Sequence, residues 1–299
     1  MGAARAMIVN PRRPLSVQLL NVAPSGGCTS VRACPDHPGL LGHDEAPEVT
    51  LSNVQYDEVG RDFDAVRDRR PDAQQVWLDR LARHVPDPGP AAIVDVGSGT
   101  GIWARAIAER FGCTVHAVEP SDGMRARARQ ARPHPRVTYL AGRCDALPLA
   151  DDAVAAAWLS TVIHQFPDMG VAARELRRVV EPGGKVFVRS GYPGRQDEIE
   201  LFHLFPGAMR VAERWPRLGR VITAFEDAGF VFDSIERVRE PTFESYEEAL
   251  ELLPAMRRSD SALVGLDDEQ WEKGIAAIER AIAAAERPWP LGMDLLVVR

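Results

Sequence analysis

From about residue 91 onward, short runs of consecutive apolar and β-branched residues alternate with longer stretches in which apolar residues return every three or four positions. The run at 91–96, apolar and β-branched, reads as a buried parallel strand, and those at 114–118, 137–140, 153–159 and 185–188 read as further strands. The intervening stretches, one ending at Arg110 and others at 121–131 and 170–180, read as helices. Strands and helices alternating at this spacing need crossover connections, and so parallel neighbours. Further strands at 231–238 and 294–298 complete the expectation: an α/β fold with a Rossmann-like, doubly wound, mostly parallel seven-stranded sheet.

Upstream, residues 73–84 place Val76, Trp77, Leu78 and Leu81 on one helical face, and the break Pro86-Asp87-Pro88-Gly89-Pro90 ends that helix. Beyond Gly191 the alternation loosens. Residues 195–215, with Phe202, Leu204, Phe205 and Trp215, read as an insertion, and a helix at 218–228 ends at Gly229. Helices at 243–256 and 267–287 precede the last strand, so helical cap insertions are expected at about 195–215 and 243–287. Residues 1–48 carry six prolines, a Gly26-Gly27 pair and little periodicity. Such a segment buries too little apolar surface to offset its chain entropy and is expected to be a disordered extension.

Composition narrows the function. In 299 residues there are 36 basic and 43 acidic side chains, a net charge of −7, which argues against nucleic acid as a partner because phosphate-backbone binding needs clustered cations. Only two lysines occur, Lys185 and Lys273. No run of apolar residues is long enough to span a bilayer and no apolar signal region follows the N-terminal arginines, so no membrane partner is expected and the cytoplasm is the expected location. Four scattered cysteines, Cys28, Cys34, Cys113 and Cys144, form no C-x-x-C pair. Cys28, Cys34, His37 and His43 match none of the usual zinc spacings, so no metal is expected.

The chemistry lies in Val94-Asp95-Val96-Gly97-Ser98-Gly99-Thr100-Gly101, which follows the first strand and opens a helix. Glycines there let the backbone turn sharply and approach a ligand at the carboxyl end of a strand, where open α/β sheets bind nucleotides. The order is G-x-G-x-G, and Ile102 stands where the dinucleotide pattern wants glycine or alanine. The second strand ends at Glu119, a carboxylate placed to take both hydroxyls of a ribose, a feature that NAD enzymes share. Asp145, in Cys144-Asp145-Ala146-Leu147-Pro148 after the third strand, is placed to accept from an exocyclic amine. Glu181-Pro182-Gly183-Gly184 reads as the turn before the fifth strand.

With these stations together, residues 56–191 resemble the class I S-adenosylmethionine-dependent methyltransferases, near the small-molecule branch that includes ubiquinone and menaquinone biosynthesis methyltransferases. The resemblance implies S-adenosyl-L-methionine as cofactor. Its methionine moiety would lie on Asp95, Gly97, Gly99 and Gly101, its ribose on Glu119, its adenine against Met124 and near Asp145 and Ala146, and its amino group by Leu159 and Ser160. Residues 49–90 correspond to a helical lid bearing Tyr56 and Arg61, and 91–299 to the methyltransferase domain. The family's Tyr-Asp-x-x-x-x-x-Tyr-Asp lid pattern is altered, since Phe63 replaces the second tyrosine.

His164, just past the fourth strand, is the candidate catalytic residue, able as a neutral imidazole to take a proton from the acceptor or simply to shape the pocket. Arg189, Tyr192 and His203 lie at or after the fifth strand, where a substrate would enter. The expected activity is methyl transfer to an oxygen, nitrogen or carbon of a small organic molecule, with a place in bacterial secondary metabolism. A second copy of the chain is a candidate partner. The alternatives are a non-catalytic protein that binds the same cofactor and an NAD-dependent oxidoreductase, for which no Tyr-x-x-x-Lys set is present.

Overall fold

A computed structural model of the chain describes residues 56–85 and 89–299. The expectations for residues 1–55, including the extension and the Cys28, Cys34, His37 and His43 spacing, and for 86–88 lie outside the described residues.

Seven strands form one sheet: β1 (Ala92–Val96), β2 (Thr114–Glu119), β3 (Val137–Ala141), β4 (Val154–Ser160), β5 (Val180–Ser190), β6 (Phe232–Glu240) and β7 (Leu291–Val298), in the order β3-β2-β1-β4-β5-β7-β6. β1 to β5 pair in parallel, and β7 runs antiparallel to both β5 and β6. The strand order reverses between β1 and β4, which opens a crevice at their carboxyl ends.

Ten helices are described: α1 (Gly60–Arg67), α2 (Pro71–Ala82), α3 (Ile102–Phe111), α4 (Asp122–Ala131), α5 (Met169–Val179), α6 (Glu200–Leu204), α7 (Pro206–Ala212), α8 (Leu218–Asp227), α9 (Tyr246–Ser259) and α10 (Asp268–Ala283). Local chemistry fixes their starts. Pro71 opens α2, where its missing N–H costs nothing, and the side chains of Ser121, Asp168, Ser245 and Asp267 accept the orphan amides at the starts of α4, α5, α9 and α10.

Two clusters sandwich the sheet. Trp77 and Leu81 of α2 and Ile107 of α3 pack with Ile93, Trp158 and Phe187 on one face. Leu176 of α5 and Val221 and Phe225 of α8 pack with Val94, Leu159 and Val188 on the other. A third cluster joins α6, α7, α9 and α10 through Phe202, Phe205, Leu253, Trp271 and Ile278, and it forms the helical cap.

Two departures from the sequence pattern have local causes. Residues 181–184, read as a turn, lie inside β5: Val180 pairs with Val154 and pairing resumes at Lys185 with Ala156, so the extra residues bulge out around Gly183 at φ +81°. The helix expected over 267–287 stops at Ala283, and Ala285 takes a left-handed φ of +53°.

β7 is fastened by charge as well as by its ladders. Asp294 is fully buried, and its carboxylate accepts from Arg195 at 2.8 and 2.9 Å and from Arg237 at 3.0 Å. Both arginines reach it from outside the strand, so they tie the chain leading into the cap, and β6, to β7.

Candidate functional site

β1 delivers the glycine loop to the crevice. Gly97 and Gly101 take left-handed φ of +71° and +82°. A Cβ on Gly97 would overlap the Val162 side chain, and one on Gly101 would lie 2.6 Å from the Tyr139 hydroxyl oxygen, so neither position accepts a side chain. The loop is held from β2: the backbone N–H groups of Gly97 and Ser98 both donate to the Val118 carbonyl, at 2.8 and 3.1 Å. Over Gly99 the nearest atoms belong to the Phe63 ring, at ordinary contact distance.

Two buried carboxylates flank this loop. Asp95 is 2% exposed, and its Oδ2 has no hydrogen-bond partner among the described residues. Burial, and then the charge of Glu119, pushes its carboxyl up to about 8, opposed by a hydrogen bond from the Ala104 amide. Glu119 accepts the Gly99 N–H at Oε2 and the Ser121 N–H at Oε1, each at 2.9 Å, which aims the carboxylate across the loop and leaves one lone pair on each oxygen. Burial raises its carboxyl as well, against the pull of those two amides. The hydroxyls of Ser98 and Thr100 are likewise buried without partners among the described residues.

The segment before α1 and α1 itself cover the loop. Asp57 accepts from the Ser121 hydroxyl at 2.7 Å and the Gly123 amide at 3.1 Å, and these bonds hold its carboxyl below the usual range. Phe63 packs with Tyr56, Val59, Met124 and Val264, with Met124 almost fully buried. Asp64 lies between Arg127 at 2.6 Å and Arg132 at 2.9 Å, and Arg132 also donates to the Thr100 carbonyl at 2.9 Å. Thus the segment lacking the second tyrosine is fastened to the glycine loop by an ion pair. Arg61, on the same helix, is exposed.

At the end of β4, Leu159 is fully buried and the Ser160 hydroxyl receives a 3.3 Å hydrogen bond from Arg189. The next residue, Thr161, is held at φ +51°, a strained conformation for a β-branched residue. His164 follows in the short 3-10 turn Ile163–Gln165. It is 7% exposed, stacked on Trp215 with ring centroids 4.5 Å apart, and its Nε2 lies 3.0 Å from the Ser261 hydroxyl. Burial, and then the charge of Arg67, lowers its pKa to about 4, so the ring is neutral near pH 7.

The remaining expected residues are placed differently. The Asp145 carboxylate is paired with Arg143 at 3.0 Å, which holds it below its usual range, and Ala146 follows it in the same turn. Arg189 is not available to grip an acidic substrate: it is paired with Glu240 and stacked over Trp77 at 4.9 Å and Trp103 at 5.8 Å. Tyr192 is fully buried within the cluster on the α5 and α8 face, and burial beside Asp294 pushes its phenol far above its usual range. His203 binds the Asp197 carbonyl at 3.0 Å and packs on Trp289, in a cavity of about 370 Å³ on the cap that Glu200, Tyr246 and Arg280 also line. None of the residues lining that cavity comes from the glycine loop.

Ser261, Arg67 and Asp64 were not singled out for this site by sequence, and Trp215 reads there as an aromatic of the cap insertion, a core residue or part of a substrate wall. Each reaches it through a tertiary contact, and only the Phe63-Asp64 pair carried a local signal, as the altered half of the lid pattern. Among the described residues no cluster of side chains could hold a metal ion, and no helix is long and apolar enough to cross a membrane.

Residues 94–188 match the family described as a methyltransferase domain. A ubiquinone/menaquinone biosynthesis C-methyltransferase from Caulobacter vibrioides is 31% identical over 159 residues, covering 49% of this chain and 63% of that protein. A malonyl-[acyl-carrier protein] O-methyltransferase from Pseudescherichia vulneris is 34% identical over 121 residues, covering 40% and 46%. The chain therefore spans less than two thirds of either relative. A crystal structure of a protein from Anabaena variabilis, described as a putative methyltransferase from an antibiotic biosynthesis pathway, superposes with a TM-score of 0.62 at 22% identity, over 77% of this chain and 98% of that one, and shares the fold.

Proposed function

We propose that this chain, whose residues 94–188 match a methyltransferase domain, uses S-adenosylmethionine to methylate a small organic molecule. The observation that carries the reading is the pairing of Asp95 and Glu119 across the glycine loop: one buried carboxylate has an unpaired oxygen, and the other is aimed by two amides. Buried polar atoms without partners are costly, and three such side chains (Asp95, Ser98 and Thr100) around one loop fit a polar ligand that satisfies them.

In this reading Asp95, Gly97, Gly99 and Gly101 hold the methionine part of the cofactor, Glu119 its ribose, Met124 one face of its adenine, Asp145 and Ala146 the adenine edge, and Leu159 and Ser160 the surroundings of its amino group. Asp145 would turn from Arg143 to do so. Tyr56 and Arg61 belong to the lid formed by 49–90, and the domain proper spans 91–299. When bound, S-adenosylmethionine supplies a methyl group on a sulfonium leaving group. What this chain supplies is alignment and exclusion of water, by Phe63 and α1 over the loop and by the cap over His164. Such positioning lowers a barrier by up to ~7–11 kcal/mol without a strong base.

The acceptor enters from the cap side, where Trp215 and His164 lie. The relatives named above methylate carbon in one case and oxygen in the other, so the acceptor atom is set by the cap and not by the cofactor loop. A small acceptor, a cytoplasmic location, a role in bacterial secondary metabolism and pairing with a second copy of the chain complete the proposal.

Calorimetry with S-adenosylmethionine, S-adenosylhomocysteine and NAD tests the cofactor, and binding of NAD alone would overturn the reading. A labelled-methyl screen against a metabolite panel identifies the acceptor, and His164→Gln should slow turnover while leaving cofactor affinity nearly intact.

A further inference from the structure

The ring of His164 is fixed from two directions. Trp215 lies nearly parallel to it, 19° between planes, and removes its freedom to tilt. Ser261 meets Nε2 at 3.0 Å from the loop that follows α9. The end of α9 and that loop are clasped to α1: Arg258 in the last turn of α9 chelates Asp62 at 2.7 and 2.8 Å, and Asp260 in the loop binds Arg67 at 3.3 Å while accepting the Ala262 amide. Ser261 is therefore delivered to the imidazole by a backbone anchored on the same helix that places Phe63 over the glycine loop.

A neutral imidazole carries one N–H and one lone pair, so its partner decides its tautomer. The hydrogen bond of the Ser261 hydroxyl runs to His164 Nε2, at 3.0 Å. A hydroxyl proton donated to Nε2 leaves the neutral ring's own proton on Nδ1. The opposite nitrogen, Nδ1, is buried and has no hydrogen-bond partner among the described residues.

We infer that Ser261 is a positioning residue: its hydroxyl donates to Nε2 and holds the His164 ring with its proton on Nδ1, leaving that N–H to donate to an oxygen of the methyl acceptor. This deepens the methyl-transfer reading and rests on it. Nδ1 then orients the acceptor as a donor and takes no proton from it, which replaces the expectation of His164 as a base. The acceptor class that fits carries a carbonyl, carboxylate or phenolate-type oxygen close to the atom methylated.

The test needs no acceptor. Long-range proton–nitrogen correlation spectra of the full chain, labelled with ¹⁵N-histidine, report which ring nitrogen bears the proton, and His164→Gln assigns the signal. Wild type should show a single neutral tautomer protonated at Nδ1. Ser261→Thr should keep it, and Ser261→Ala should move the ring to a mixture or to the Nε2–H form while circular dichroism stays unchanged. Protonation at Nε2 in wild type would overturn the proposal, and so would a spectrum that Ser261→Ala leaves unaltered. If Ser261→Ala does not fold, the wild-type and Ser261→Thr spectra still decide the tautomer. Titration of wild type with S-adenosylhomocysteine reads the cofactor separately: no binding would defeat the methyl-transfer reading whatever the tautomer.

Discussion

The Glu119 carboxylate accepts the backbone N–H of Gly99 at 2.9 Å, so the acid at the tip of β2 also sets the shape of the glycine loop after β1. Removing it should damage the site twice, through a lost ligand contact and a loosened loop. Glu119→Ala is expected to weaken S-adenosylmethionine binding by about 1–3 kcal/mol, the cost of leaving buried donors unpaired. Isothermal titration measures this, and unchanged affinity would mean that the ribose is held elsewhere.

Two buried groups of the ligand-free protein should act on its stability in opposite directions over pH 4 to 6.5, leaving a net loss only from about 6.5 to 8. Asp95 has a folded pKa of about 8, above its ordinary 3.8, so the native state binds more protons between those values and stability falls as pH rises toward 8. His164 has a folded pKa of about 4, below its ordinary 6.5, so the unfolded chain binds more protons there and stability falls as pH drops from 6.5 toward 4. Thermal melts from pH 4 to 9 should show Asp95→Asn removing the fall above 6.5 and exposing a loss toward pH 4, and His164→Gln extending the fall with rising pH down to about 4. Profiles that stay the same in both variants would refute these assignments.

Gly101→Ala should destabilise the protein by about 1–3 kcal/mol, because alanine at φ +82° is strained and its Cβ meets Tyr139. Tyr139 is itself held by a hydrogen bond to the Arg132 carbonyl, which limits its retreat. Differential scanning calorimetry of the variant should show the loss; a melting temperature equal to wild type would mean that the loop repacks freely.

Two ion pairs of similar length should differ sharply in worth. Asp62–Arg258 at 2.7 Å involves partly exposed side chains, so Asp62→Asn should cost about 0–1 kcal/mol. Asp294 is fully buried between two arginines, and Asp294→Asn should cost about 3–5 kcal/mol by leaving buried charge uncompensated. Urea denaturation of the two variants compares them directly, and equal losses would contradict the difference in burial.

The parts of this structure that sequence reveals are those governed by neighbours along the chain. β1 and β4 announce themselves because both faces are buried, so Ile93-Val94 and Ala157-Trp158-Leu159 carry no alternation. The glycines at 97, 99 and 101 are legible because a backbone conformation demands them. The length of β5 was hidden by Pro182 and Gly183, which signal a turn yet here form a bulge within a strand. Arg189 looked like a free cation at the mouth of the sheet; its partner Glu240 lies 51 residues later, and no local pattern announces such a pair. Ser261, 97 residues from His164, is legible only in three dimensions.

The position of β7 between β5 and β6 bears on how this molecule is made. β6 emerges from the ribosome some fifty residues before the strand that must lie beside it, and it has no other partner in the sheet. During synthesis its edge stays unpaired while α9 and α10 are still being translated. Docking of residues 291–298, and the closing of Arg195 and Arg237 onto Asp294, is thus the step that pairs the edge β6 would otherwise leave open.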